Sequence, residues 1–126
     1  MRHNNGLNLG ELIKRLEELD EGTKVRFDFA DLVPSRDFRS YRGYYEDIAL
    51  GYSGARYGSI TAAELLAYYN SLIGEKYYGY KGGEYVATEK TGVWVANSYR
   101  DCTGTVIRNV RDLGYGYAII ETQYED

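Results

Sequence analysis

Cysteine, histidine and proline each occur once in this chain of 126 residues, as Cys102, His3 and Pro34. A single cysteine excludes an internal disulfide and is typical of proteins that work in a reducing cytosol. Because the one histidine lies close to the N-terminus, we expect neither a histidine-based catalytic triad nor a histidine metal site. Cys102 has no second cysteine as a partner, so a thiol catalyst or a zinc knuckle is not expected either.

Other absences narrow the functional classes further. The chain has no glycine-rich phosphate loop ending in Lys-Ser or Lys-Thr, no dinucleotide-binding fingerprint and no apolar run long enough to cross a bilayer. A net charge of −4 argues against binding to DNA or RNA polymers, which normally requires a basic face. Carboxylates are plentiful, which leaves an acid/base pair open, but most carboxylates are solvated surface groups, so we expect no enzyme. From the other absences we expect no metal, no cofactor and no membrane partner.

Tyrosine is abundant instead, with fifteen residues against three phenylalanines and one tryptophan. A tyrosine ring offers a flat apolar face, a polar hydroxyl and few rotatable bonds. Many of these tyrosines stand beside glycine or arginine, which predicts a surface that stacks on a flat, charged ligand. The length fits a single domain over residues 1–126, with residues 1–7 as a flexible lead-in.

The local patterns predict an α+β fold in which two helices pack on an antiparallel β-sheet. Asn8 with Glu11, and Thr61 with Glu64, form capping boxes that begin two helices, and we expect Gly22 and Gly74 to end them. Residues 30–43, which hold Pro34, are predicted to be a loop, and a loop of this length is more often functional than idle. Strands, arranged as a meander, are predicted at 25–29, 44–52, 76–80, 84–87, 92–96, 104–110 and 115–122.

Three segments have the composition of binding surfaces. Residues 36–45 combine three arginines with three tyrosines, which suits phosphate and base contacts, although these arginines have Asp37, Glu46 and Asp47 as alternative partners. In residues 77–85, Tyr85 follows a Gly-Gly turn and is the best stacking candidate, whereas Tyr77 and Tyr78 are equally well explained by packing on a helix.

The third segment, residues 97–105, is rich in short polar side chains that suit the hydroxyls and base edge of a nucleotide. Ordinary turn chemistry explains the same residues. Arg108 and Arg111 follow on the next predicted strand and its exit, where either is a candidate for a phosphate contact. Trp94, between two valines, is predicted to lie in the core.

The order of these segments resembles the first-described Thoeris anti-defence proteins of bacteriophages, from about residue 8 to residue 122. The segments that carry the resemblance are Val25–Phe29, Val33–Ser35, Ser40–Tyr45, Ala49–Tyr52, Ile73–Gly74, Gly79–Tyr85, Val93–Asn97 and Thr103–Thr105. Members of that family act as sponges, which hold a nucleotide immune signal without cleaving it. The resemblance implies binding of glycocyclic ADP-ribose at a dimer interface, in the host cytoplasm.

The resemblance also implies an oligomer, either a homodimer or a hexamer built as a trimer of dimers, and additional sites for cyclic di- or trinucleotides. It places the aromatic residue of the signal site on Tyr85, the asparagine on Asn97 and the aspartate on Asp101. The other candidate ligand-binding residues are Arg42, Arg56, Thr103, Thr105, Arg108 and Arg111. Two alternatives stay open, namely a phage inhibitor that binds a host defence protein and a small enzyme that degrades a cyclic nucleotide.

Overall fold

The computed structural model describes residues 6–29, 31–40, 47–78, 83–96 and 105–124, without the side chains of residues 38–40 and of residue 57. The two α-helices among these residues are α1 (Leu9–Glu17) and α2 (Ala62–Leu72), and a short 3₁₀ turn covers Ala55–Tyr57. The strands are β1 (Lys24–Phe27), β2 (Leu32–Ser40), β3 (Ile48–Gly54), β4 (Lys76–Tyr78), β5 (Glu84–Val86), β6 (Val93–Val95), β7 (Thr105–Gly114) and β8 (Tyr117–Tyr124). The α+β fold with two helices is thus confirmed.

Helix α1 begins as its capping box predicts. The Asn8 side chain accepts the N–H of Glu11 at 2.8 Å, and the Glu11 carboxylate accepts the N–H of Asn8 at 2.9 Å. The helix ends at Glu17 and not at Gly22, because the N–H of Leu19 bonds to the carbonyl of Leu16, a tighter 3₁₀ pattern that closes the last turn. Order begins before the helix, since Leu7 is buried and its N–H donates to the carbonyl oxygen of Ile107 at 2.6 Å.

Helix α2 begins and ends where the sequence indicates. Thr61 and Glu64 form the reciprocal capping box, and Leu65, Tyr69 and Leu72 are buried. Gly74 then takes a φ of +87°, a left-handed conformation that glycine adopts without steric cost. The helix therefore stops at the predicted glycine.

The main sheet is mixed, which corrects the prediction of an antiparallel meander. Its six strands run in the order β1-β8-β7-β6-β3-β2, with β1 parallel to β8 and β3 parallel to β6. The other three pairings are antiparallel. Parallel neighbours need a crossover connection, and the segment holding α2 and the separate hairpin β4–β5 supplies one between β3 and β6. The meander prediction was wrong because strands adjacent in sequence are not always adjacent in the sheet.

Strand β2 corrects the prediction of a loop at residues 30–43. It pairs with β3 from Leu32 to Ser40, with an irregularity between Pro34 and Phe38. Proline disfavours a central strand because it lacks an N–H, but β2 is an edge strand, where that N–H is not needed. The turn from β1 to β2 brings the two edge strands close together, so the sheet nearly closes on itself.

Hydrophobic side chains form two clusters on opposite faces of the sheet. The larger cluster packs α1 and α2 onto one face and includes Ile48, Leu50 and Ile107. The smaller one contains Ala49, Trp94, Ala96 and Val106, which alternate with those residues along the strands and so point the other way. Trp94 is fully buried, and its Nε1–H donates to Asp47 Oδ2 at 2.8 Å, so its predicted place in the core is confirmed.

Tyr69 is a core residue whose hydroxyl lowers the stability of the fold. The side chain is fully buried, and its hydroxyl has no hydrogen-bond partner among the described residues. A buried hydroxyl without a partner costs about 1–3 kcal/mol, so Tyr69→Phe should raise the free energy of unfolding by roughly that amount. Urea denaturation at neutral pH measures the change, and a decrease would show that the hydroxyl is satisfied.

The same substitution should alter the dependence of stability on alkaline pH. Burial raises the pKa of the Tyr69 hydroxyl above its ordinary value of 10.0. Burial and the nearby Asp37 charge raise the pKa of Tyr68 to about 12. Because each folded-state pKa exceeds the unfolded value, ionisation of these hydroxyls costs no stability below pH 10.0, and stability is lost as the pH rises from there through the folded-state pKa. Tyr69→Phe should therefore lose less stability above pH 10.0 than the parent, whereas Tyr68→Phe serves as the half-buried control.

Candidate ligand-binding surface

Four of the predicted site residues, Arg42, Asn97, Asp101 and Thr103, lie outside the described residues. The connection that holds Arg42 runs from Ser40 to Asp47, and the one that holds the other three runs from Ala96 to Thr105. Since β3 and β6 are parallel, Asp47 precedes their paired region and Ala96 follows it. Four residues of strand rise, about 13 Å, separate these two points. The two predicted segments thus start from opposite ends of β6.

The predicted site arginines within the described residues, together with Thr105, occupy two regions of the fold. Arg56 is exposed in the 3₁₀ turn after β3, whereas Thr105, Arg108 and Arg111 lie along β7. Arg111 is exposed and forms an ion pair with Glu121 at 3.4 Å. Thr105 and Arg111 are six residues apart on one strand, or about 20 Å. A single phosphate therefore cannot contact both of them within one protomer.

Tyr85 is half-buried and is held by two contacts within the protomer. Its ring packs edge-on against Tyr77, with centroids 5.1 Å apart and planes at 82°. Its hydroxyl shares a hydrogen bond of 2.6 Å with the hydroxyl of Thr91, which is buried. These contacts fix the ring orientation, so a ligand that stacks on Tyr85 must use the part of the ring that Tyr77 leaves open. Tyr78, by contrast, is 70% exposed.

Arg36 has a partner that the sequence did not indicate. Its guanidinium donates to Glu64 at 2.9 Å, and not to Asp37. The hydrogen bonds from Thr61 and the charge of Arg36 hold the pKa of the Glu64 carboxyl below its ordinary value. Glu64 therefore has two roles, since it caps α2 and ties that helix to β2. The alternative in which arginines of this segment pair with Asp37, Glu46 or Asp47 is therefore not met at Arg36, whose partner comes from α2.

A cleft that sequence analysis did not find lies between the β1–β2 turn and the tip of the β7–β8 hairpin. Its volume is about 520 Å³, within the range of small-molecule sites. Its lining residues are Arg26, Phe27, Asp28, Phe29, Asp31, Leu113, Gly114, Tyr115, Tyr117, Ala118 and Ile119. The run Gly114-Tyr115-Gly116-Tyr117 has the same tyrosine and glycine composition as the predicted segments, and this was the available signal. The sequence pattern predicts a strand from residue 115 and does not place this run among the binding segments.

Strand register sets the arrangement of side chains around this cleft. Ile119 has Arg26 opposite it on β1 and Arg111 opposite it on β7, so the two arginine backbones lie about 10 Å apart. In the next row, Tyr117 has Lys24 on one side and Gly114 on the other. Gly114 has no side chain, so one flank of the Tyr117 ring is open. Tyr117 is 47% exposed, and Tyr115, at the hairpin tip, is 99% exposed.

The polar groups of the cleft are already engaged in contacts within the protomer. The Asp28 carboxylate accepts the N–H of Thr122 at 2.9 Å and its hydroxyl at 2.6 Å, which holds the turn after β1 against β8. Asp31 forms an ion pair with Arg26 and is itself largely exposed. The cleft thus brings the Arg26 guanidinium and the exposed Asp31 carboxylate together with aromatic rings on one concave surface.

A second cleft, of about 470 Å³, separates α1 from the turn at residues 88–90. Its walls carry charges of both signs, from Glu11, Lys14, Glu17, Glu89 and Lys90. Glu11 is committed to the cap of α1, and the cleft has no aromatic wall. It is thus less suited to a flat ligand than the first cleft.

Among the described residues, no group of three or more His, Cys, Asp or Glu residues is placed to hold a metal ion. No helix in the described part of the chain combines the length and apolar character needed to cross a membrane.

No protein-family model, curated protein or solved structure matches this chain. The family resemblance thus stays a prediction from the order of the sequence segments.

Proposed function

We propose that this protein is a phage anti-defence sponge, which binds glycocyclic ADP-ribose and holds it without cleavage in the host cytoplasm. In this proposal the protein is a homodimer or a hexamer of three dimers, and cyclic di- or trinucleotides are further ligands. It needs no cofactor, because capture involves no bond breaking. The family resemblance supplies the identity of the signal, and the distribution of tyrosine and arginine supplies the physical support.

The observation that carries the proposal is the exposure of aromatic rings beside guanidinium groups. Tyr117 and Tyr115 are exposed at a cleft that Arg26 also lines. A rigid ring loses little conformational freedom on binding, and an arginine fork already fixed by neighbours loses less than a free one. Nanomolar affinity requires about 12 kcal/mol of net binding free energy. Stacking of bases at about 1–3 kcal/mol each, together with charge-assisted phosphate contacts, is of the magnitude needed.

Capture followed by heat release tests the proposal directly. The purified protein is incubated with glycocyclic ADP-ribose, separated from free ligand by filtration, and then heat-denatured. A sponge removes the molecule from the filtrate and returns it unchanged after heating, as mass spectrometry will show. An altered product would establish an enzyme, and a ligand that stays in the filtrate would favour the inhibitor that binds a host protein.

Asn97→Ala and Asp101→Ala are the matched variants for this experiment. Each should weaken capture at least about tenfold, which is the cost of leaving a polar ligand group without its partner. In this proposal the two side chains serve the ligand, so the thermal midpoint should change little. Retained capture by both variants would remove this segment from the site, and a large fall in the midpoint would assign it a structural role.

A further inference from the structure

The cleft between the β1–β2 turn and the β7–β8 hairpin offers a separate recognition group for each part of a nucleotide. One wall is aromatic and apolar, and the other holds one guanidinium and one exposed carboxylate. We infer that this cleft is a nucleotide subsite, in which a base stacks on Tyr117, the Asp31 carboxylate accepts from ribose hydroxyls or an exocyclic amine, and Arg26 contacts a phosphate. The choice of a nucleotide as ligand rests on the proposed function, whereas the place and the residues come from the geometry of the cleft.

The ring of Tyr117 is positioned to act as the stacking platform. Its cross-strand neighbour on β7 is Gly114, so no side chain on that flank competes with a ligand for the face of the ring. Gly114 has a φ of +81° and Gly116 has the same value, which are left-handed conformations that shape the hairpin tip. Leu113 and Phe29 line the same cleft and supply apolar contacts around a bound base.

The two aspartates of the cleft are not equivalent. Asp28 uses both carboxylate oxygens on Thr122, so it holds the turn in place and is not available to a ligand. Asp31 is 84% exposed and its only described ion pair is with Arg26. Aspartate tolerates the left-handed region in which Asp31 lies, at a φ of +54°. The carboxylate therefore stands at the mouth of the cleft beside the guanidinium.

The charge of the lining distinguishes a nucleotide from a simple anion. One arginine and two aspartates line the cleft, so their sum is one negative charge. Inorganic phosphate gains one guanidinium contact there and meets a repulsive carboxylate. A nucleoside monophosphate gains stacking and a hydroxyl or amine contact in addition, and these offset the repulsion. We therefore expect AMP to bind, adenosine to bind more weakly, and inorganic phosphate not to bind.

Calorimetric titration with AMP, adenosine and inorganic phosphate tests the assignment. Tyr117→Leu should weaken AMP binding at least about tenfold, because the flat ring is lost, while Tyr117→Phe keeps the ring and the affinity. Arg26→Gln should weaken AMP but leave adenosine unchanged. Tyr124→Leu is the control on the same strand, since Tyr124 is 66% exposed and lies outside the cleft. Thermal midpoints of all variants report on folding, and Arg26→Gln keeps the test valid if Tyr117→Leu is unstable.

The outcomes separate this inference from the proposed function. Equal AMP affinity in the parent and Tyr117→Leu, or no AMP binding by the parent, overturns the nucleotide subsite. If the parent still captures glycocyclic ADP-ribose in either case, the sponge proposal stands on its other residues. AMP binding that depends on Tyr117, in a protein that captures no glycocyclic ADP-ribose, supports the subsite and refutes the sponge.

Discussion

Replacing Trp94 with alanine should lower the free energy of unfolding by about 3–5 kcal/mol, the usual cost of removing a large buried aromatic side chain. Trp94 is fully buried in the middle of β6, a strand of three residues that joins β3 to β7. Its side chain is the largest member of the smaller hydrophobic cluster. The substitution therefore weakens packing at β6, the strand that links β3 and β2 to the rest of the sheet.

Urea denaturation followed by circular dichroism is the appropriate measurement, because Trp94 is the only tryptophan and the variant loses its fluorescence. Trp94→Phe is the control, since it retains a ring but removes the indole N–H that bonds to Asp47. We expect it to cost less than Trp94→Ala. A loss below about 1 kcal/mol for Trp94→Ala would contradict the packing described for this cluster.

Gly92 provides an independent test of the same contact. A Cβ on Gly92 would lie 2.7–2.9 Å from the three carboxylate atoms of Asp47, so Gly92→Ala must displace that side chain. Because Asp47 is also the acceptor for Trp94, the effects of Gly92→Ala and Trp94→Phe should be less than additive. Additive effects would show that Gly92→Ala leaves the indole hydrogen bond intact.

Replacing Phe27 with alanine should lower the free energy of unfolding by a comparable amount, about 3–5 kcal/mol. Phe27 is 3% exposed on β1 and belongs to a cluster of three rings. Its centroid lies 5.5 Å from that of Phe29 and 6.4 Å from that of Tyr52, and Tyr52 meets both rings edge-on. Edge-on ring pairs add about 0.5–1.5 kcal/mol to the burial of their surface. Removal of Phe27 breaks the edge-on contact with Tyr52 and the tilted contact with Phe29 at once.

Phe27→Leu is the matched control, since it keeps most of the buried volume but neither ring contact. Its loss should be clearly smaller than that of Phe27→Ala. Because Phe27 and Phe29 both line the cleft, we also expect the alanine variant to bind AMP more weakly than Phe27→Leu does. Equal stabilities of the two variants would mean that the volume retained by leucine at this position contributes nothing.

The features predicted correctly from sequence depend on residues close together in the chain. Asn8 with Glu11, and Thr61 with Glu64, mark where both helices begin because a capping box spans only four residues. The burial of Trp94 followed from its two valine neighbours in the same way. All the residues that make up such a signal lie within a few positions of one another, so the signal can be recognised without knowing the tertiary structure.

The features predicted wrongly depend on the position of a strand in the sheet. Pro34 is a local signal against a strand, and only the edge position of β2 makes a strand possible there. β1 pairs in parallel with β8, a strand far away in the sequence, and no local pattern predicts a pairing between such distant segments. The antiparallel sheet that we expected was therefore wrong in two of its five pairings.

Composition by itself determined that this chain would present tyrosine beside arginine and glycine, and local spacing determined both helices and most strands. Only the tertiary structure decided which tyrosines are exposed, since Tyr69 is fully buried in the larger hydrophobic cluster whereas Tyr117 is 47% exposed at the cleft. It also created the cleft, which joins the turn after β1 to a hairpin at the far end of the sequence. The physical reason is that burial and concavity arise from contacts between distant segments, which are fixed only when the sheet assembles.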